Sequence, residues 1–167
     1  LEALEAQGMK GLVIDLRSNP GGSLDTVVDM LELILPKGRV VSMKDKDGRE
    51  TEYQCDGRHE FTKPLVVLVN ENSASASEIF AGAVKDYGIG KIVGMTTYGK
   101  GVVQKIFYLQ DGSSIKITIS EYFTPKGNSI DGIGVVPDVE VEYVKDEENP
   151  EADNQLDAAL EEVRKEL

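Results

Sequence analysis

Apolar residues run almost unbroken in two places, Gly11-Leu12-Val13-Ile14-Asp15-Leu16 and Pro64-Leu65-Val66-Val67-Leu68-Val69-Asn70. Short continuous runs of this kind predict strands covered on both faces. Turn residues follow each run, Arg17 to Ser23 after the first and Asn70 to Ser73 after the second. Helical patterns come next. Leu24, Val27, Val28, Leu31, Ile34 and Leu35 form one broad stripe, with Ser23 as N-cap and Pro36 as stop. A second helix is expected from about Ser75 to Tyr87. Strand, turn and helix, twice over, predict a layered α/β domain.

Further strands are expected at Arg39 to Lys44 and Arg49 to Cys55, joined through Asp45-Lys46-Asp47-Gly48. Others are expected at Lys91 to Met95, Val102 to Leu109, Ser114 to Phe123 and Val139 to Tyr143, with Asp111-Gly112 turning the chain between the middle pair. Leu1, Leu4 and Ala6 keep helical spacing up to Gly8, and that pattern starts without a cap, as expected of a piece of a longer protein. Three regions result: a body over 1–144, an acidic linker over 145–155 and an amphipathic helix over 156–167. The stripe Leu156, Leu160, Val163 and Leu167 needs a partner, either its own core or a second copy of the chain in a homodimer.

Composition narrows the function classes. At 167 residues, 40% hydrophobic and 29% charged, the chain has the size of one globular domain. Its net charge of −12 argues against a general footprint on nucleic acid or an anionic membrane. Half of that charge sits in residues 145–167, which hold nine acids and three bases. The body is therefore only mildly acidic. One cysteine, Cys55, and one histidine, His59, exclude an internal disulfide and a zinc site built on several Cys or His ligands. No apolar run approaches the roughly 20 residues of a membrane-spanning helix.

A Ser-His-Asp triad would need His59, which lies in the polar segment Asp56-Gly57-Arg58-His59-Glu60 and reads as a surface residue. The stretch Asn72-Ser73-Ala74-Ser75-Ala76-Ser77-Glu78 is more informative, because it joins a buried strand to a helix. A serine there stands beside unpaired N–H groups that favour developing negative charge. An N-cap serine with Glu78 completing a capping box explains the same residues without chemistry. A serine without histidine needs another base, and lysine is the usual substitute. Lys100 lies between Gly99 and Gly101 and is followed by Val102, Val103 and Gln104. Lysine titrates near pKa ~10.4 in water, so a lysine base needs an apolar or cation-flanked setting. A solvated turn is the plainer explanation of the same residues. A third element, Asn19-Pro20-Gly21-Gly22, ends the first buried strand, and its glycines can turn amides toward an oxyanion. It lacks the spacing of a phosphate loop.

Together, Asp15-Leu16-Arg17-Ser18-Asn19-Pro20-Gly21-Gly22, Ser73-Ala74-Ser75-Ala76-Ser77-Glu78 and Gly99-Lys100-Gly101-Val102-Val103-Gln104 resemble the carboxy-terminal processing, or tail-specific, proteases. Tyr122-Phe123-Thr124-Pro125-Lys126-Gly127 and Gly132-Ile133-Gly134-Val135-Val136-Pro137-Asp138 look like the same family, and the order matches from Leu1 to Tyr143. The resemblance implies a ClpP/crotonase-like α/β core of mixed β-sheet with flanking helices. It implies a serine endopeptidase with Ser75 as nucleophile, Lys100 as general base and Gln104 orienting the lysine. Backbone amides of Ala76 and of Gly21 and Gly22 would form the oxyanion hole, with Glu78 and Asp86 in supporting positions.

No cofactor or metal is called for, and the implied partner is a protein or peptide substrate cleaved near its C-terminal tail. The family also implies an extracytoplasmic location, a PDZ domain before this region, and a strand and helix start upstream of Leu1. The chain therefore reads as the core of a longer protease. Alternatives on the same scaffold are a non-proteolytic ligand-binding module, an esterase acting on small substrates, and an inactive fragment.

Overall fold

The structure, a computed structural model, describes residues 1–167. Four strands, β1 (Leu12–Asp15), β4 (Leu65–Val69), β5 (Lys91–Gly94) and β8 (Val139–Glu140), pair in parallel in the order β1-β4-β5-β8. The expected run in the second buried strand is explained by its neighbours. Leu65, Val67 and Val69 join the main core, whereas Val66 and Leu68 point to the opposite side. Alternation along a strand sends successive side chains to opposite faces, and here both faces are covered.

The main core is closed by α2 (Leu24–Glu32) and α3 (Ala76–Tyr87), which contribute Val27, Val28, Leu31, Ile79, Phe80, Ala83 and Val84. The other face is closed by α4 (Asn154–Lys165), whose Ala159, Val163 and Leu156 pack on Val66, Leu68 and Val93. Burying each large apolar side chain there contributes about 1.5–3 kcal/mol. The apolar stripe of the last helix thus finds its partner in the chain's own sheet. Leu167 alone of the expected stripe stands out in solvent. The helix also begins at Asn154, two residues before the expected linker boundary. A five-residue helix, α1 (Glu2–Ala6), opens the chain.

The remaining strands form a second, wholly antiparallel sheet. β2 (Gly38–Asp45), β3 (Glu50–Cys55), β6 (Val102–Tyr108) and β7 (Ser114–Phe123) pair in the order β3-β2-β7-β6. Parallel and antiparallel pairings are therefore divided between two sheets rather than mixed within one. β7 meets β2 only at Ser120–Phe123, so the outer part of β6 and β7 projects as a two-stranded arm. The base of that arm, at Val102 and Val103, lies beside the N-terminus of α3.

Candidate active site

Ser75 sits at the junction of β4 and α3 with φ +57° and ψ −118°, a backbone conformation that residues other than glycine rarely adopt. An ordinary N-cap is extended. Ser75 and Glu78 do stand as N-cap and N3 of a capping box, with Glu78 Oε2 accepting the Ser75 N–H at 2.9 Å. The cap is present, but it does not account for the strained turn. The flanking serines anchor that turn. Ser73 Oγ donates to the Leu16 carbonyl at 2.7 Å, and Ser77 Oγ donates to the Asn19 carbonyl at 3.1 Å. Ser75 instead opens on a cleft of about 270 Å³.

The Asn19–Gly22 loop is locked against this turn. The Asn19 carbonyl accepts the Ala74 N–H at 3.0 Å, and the Asn19 side chain accepts the Gly21 N–H at 2.9 Å. The Gly21 N–H is thereby engaged within its own loop. The N–H groups of Gly22 and Ala76 have no acceptor within the chain, and both residues line the cleft. Two free donors, one from a glycine loop and one from the first turn of a helix, are suited to hold a developing oxyanion.

Lys100 reaches the same cleft from the loop between β5 and β6. Two glycines give that loop its shape. Gly99 has φ +85°, and a Cβ on Gly101 would fall 2.4 Å from the Asp131 nitrogen. The segment 131–135 backs the loop, with the Gly132 N–H donating to the Gly99 carbonyl at 2.9 Å. Glu78, fully buried, joins the two loops. Its Oε1 accepts from Thr97 Oγ1 and the Gly99 N–H, each at 2.6 Å. Its Oε2 accepts from the Lys100 N–H at 2.8 Å as well as from Ser75. One carboxylate thus fixes the backbones of both Ser75 and Lys100.

Two polar residues outside the expected set also line the cleft, Tyr122 and Lys116. The Tyr122 phenol donates to the Lys100 carbonyl. Burial, and then the nearby Glu78 charge, push that phenol up, against a smaller opposing pull from the neighbouring Ser75. Tyr122 opens one of the stretches that carry the family resemblance, which is the sequence signal for it. Nothing local distinguishes Lys116 from other strand lysines.

The expected residues are not all joined. No hydrogen bond links Lys100 Nζ to Ser75, and Gln104 Nε2 donates to Thr118 Oγ1 at 3.4 Å rather than toward the lysine. Asp86 lies at the far end of α3, about 16 Å of helix rise from Ser75, where it accepts the Lys126 N–H at 2.8 Å. His59 is exposed in a turn among Leu33, Phe61 and Lys63.

Comparisons with known proteins point the same way as this geometry. The family model for peptidase family S41 matches residues 1–141, which includes both sheets and every loop of the cleft. A carboxyl-terminal-processing protease of Synechocystis sp. is 42% identical over 142 residues, 85% of this chain and 33% of the relative. A chloroplastic C-terminal processing peptidase of Tetradesmus obliquus is 43% identical over 140 residues, 83% of this chain and 30% of the relative. The solved structure of a photosystem II D1 C-terminal processing protease matches with a TM-score of 0.78 at 42% identity, over 84% of this chain and 36% of that one. The chain spans about a third of the length of these relatives.

Proposed function

The chain belongs to peptidase family S41, among the carboxyl-terminal processing serine proteases, and we propose that it is the catalytic core of such an endopeptidase, with Ser75 and Lys100 as a dyad. The observation that supports this most is the strained turn that points Ser75 into a cleft shared with Lys100 and two unpartnered N–H groups. A capping serine has no need of that backbone, and a binding module has no need of that set.

In the proposed reaction Lys100 Nζ takes the Ser75 proton as Oγ adds to a peptide carbonyl carbon. The carbonyl oxygen becomes an oxyanion held by the Gly22 and Ala76 N–H groups. The C–N bond then breaks, Lys100 returns its proton to the leaving amine, and an ester remains on Ser75. Water adds to that ester with Lys100 again accepting a proton, and as the intermediate collapses Lys100 returns that proton to Ser75 Oγ, which frees the acid and the serine. The gap between Lys100 and Ser75 closes in this scheme by rotation of the four-carbon lysine stem. Gln104, released from Thr118, would receive the amine. The substrate is a protein cut near its C-terminal tail, outside the cytoplasm. No helix of the chain is long and apolar enough to cross a membrane.

Cleavage of an unstructured protein with an apolar tail tests the dyad. Ser75→Ala and Lys100→Ala are each expected to lower the rate by at least about 1,000-fold. Undiminished cleavage by either variant overturns the assignment, and a wild-type chain that cleaves nothing makes the inactive core the better reading.

A further inference from the structure

The outer part of β6 and β7 has no third strand. β2 pairs with β7 only over Ser120–Phe123, and β6 is the last strand of its sheet. A two-stranded ribbon on its own is marginal in water, yet this one carries Ile106, Phe107, Tyr108, Ile115 and Ile117, each between 41% and 82% exposed. The two edges of the sheet differ. β3, at the opposite edge, presents Glu50 and Glu52, charges of the kind that discourage pairing. β6 has a single charge, Lys105, and no proline. Net charge points the same way. The chain carries −12, whereas residues 102–118 hold two bases, Lys105 and Lys116, and one acid, Asp111. The arm is thus the part of an acidic chain at which two copies meet with little repulsion.

We propose that β6 is a dimerisation strand: two copies join their β6 edges in antiparallel fashion about a twofold axis at Ile106. The last helix, packed on its own sheet, takes no part in this contact. An isologous contact needs a self-complementary surface, and β6 supplies one. A twofold axis normal to the sheet sets one residue opposite its own copy. With Ile106 there, Ile106 meets the partner's Ile106, Lys105 meets the partner's Phe107 and Gln104 meets the partner's Tyr108. The Lys105 amine already lies 5.5 Å from the centre of the Phe107 ring on its own strand, and pairing brings a second ring within reach. An axis at Lys105 would instead oppose two like charges, which is destabilising. The charged β3 edges then stop the assembly at two copies. Gln104 lines the cleft, and by strand alternation Ile106 and Tyr108 share its face. Pairing therefore places the partner's Tyr108 beside Gln104, about 5 Å away between Cα atoms, so each copy extends the wall of the other's cleft.

The test is the oligomeric state of this chain by sedimentation velocity. Between about 1 and 100 μM it is expected to pass from monomer to dimer, the range of a small contact. Ile106→Glu faces Lys116 across its own hairpin but sets two carboxylates together on the axis, and should weaken the dimer at least about 10-fold. A second pair of variants reads the register directly. Residues opposite each other have Cα atoms about 4.5–5.5 Å apart, within disulfide reach. Ile106→Cys should therefore link two copies under mild oxidation, Cys55 being buried, whereas Thr51→Cys on the β3 edge should not. A chain still monomeric at about 100 μM overturns the proposal. So does a dimer that Ile106→Glu leaves intact, equal linkage of the two cysteine variants, or assembly beyond two copies.

Discussion

Gly21 lies directly against Ser75: a Cβ built on Gly21 would stand 2.8 Å from the serine Cβ. It would also fall 2.6 Å from the Ala74 carbonyl oxygen and 2.7 Å from the Ala76 nitrogen, and the glycine has φ +92°. All three neighbours belong to a turn that cannot retreat, because Ala74 and Ser77 are bonded to Asn19. Gly21→Ala is therefore expected to cost about 1–3 kcal/mol of stability, seen as a melting point lower by roughly 3–10 °C. Labelling of Ser75 by a fluorophosphonate should slow by at least about 100-fold as the oxyanion donors part. Nothing lies within 4 Å of a Cβ on Gly22, so Gly22→Ala should melt within about 0.5 kcal/mol of the parent. Equal melting of the two variants would contradict the close approach.

Glu78 supplies the next prediction. Its two oxygens accept four hydrogen bonds in a fully buried site. Glu78→Ala leaves the Thr97 hydroxyl and three backbone N–H groups without an acceptor, each worth about 1–3 kcal/mol. The variant should lose several kcal/mol or fail to fold. Glu78→Gln is the informative change, since it keeps the volume but turns one acceptor oxygen into a donor. A folded Gln variant with labelling of Ser75 slowed about 10-fold or more is expected. Wild-type labelling by Glu78→Gln would show that the carboxylate only fills space.

The elements that could be read from residue pattern are those whose cause is local. β4 shows its two-sided burial in five consecutive apolar residues, and α2 shows its buried stripe in its spacing. What escaped the pattern depends on distant partners. β8 pairs only at Val139 and Glu140 rather than through Tyr143. Beyond it, side-chain amides replace a neighbouring strand: Gln155 donates to the Val141 carbonyl, and Asn154 bridges the Glu142 carbonyl and the Val144 N–H. Glu78 reads as a helix cap because three of its four donors arrive from residues 97–100. The short loop motifs marked the cleft, but motif spacing carries no information on rotamers, and so none on the gap between Lys100 and Ser75.

Tyr122→Phe isolates the support of the lysine loop. The phenol is buried at 2% exposure and donates to the Lys100 carbonyl. Removing the hydroxyl should cost about 1 kcal/mol, while the Gly101 N–H to Asp131 bond at 3.1 Å and the Glu78 bonds keep the loop in place. Peptide cleavage is expected to fall more than stability does, roughly 10-fold, because Lys100 must be aimed and not merely retained. A variant equally active but less stable would reduce Tyr122 to packing.

Acid should release the last helix before it unfolds the sheet. Arg17, at the end of β1, donates to both oxygens of Asp153, the N-cap of α4, at 2.9 and 2.7 Å, and to Gln155 at 3.1 Å. The hydrogen bonds from that guanidinium hold the Asp153 carboxyl below its usual range, against the opposing effect of burial. A carboxyl depressed in the folded state contributes stability that is complete above its unfolded pKa, about 3.9. The contribution is lost as pH falls through the lower folded value. Between pH 7 and about 5 the anchorage of α4 should therefore be constant, and below about pH 4 it should weaken. Asp153 also caps the helix through the Leu156 N–H at 3.0 Å, so protonation loosens the helix start as well as the clamp. Hydrogen exchange of α4 amides should accelerate at pH 3 while that of β4 stays slow. Arg17→Met at pH 7 should reproduce much of the same local opening. Uniform acceleration across α4 and β4 would instead mean that acid acts on the whole core, and that the Arg17 clamp is no weaker than the sheet it borders.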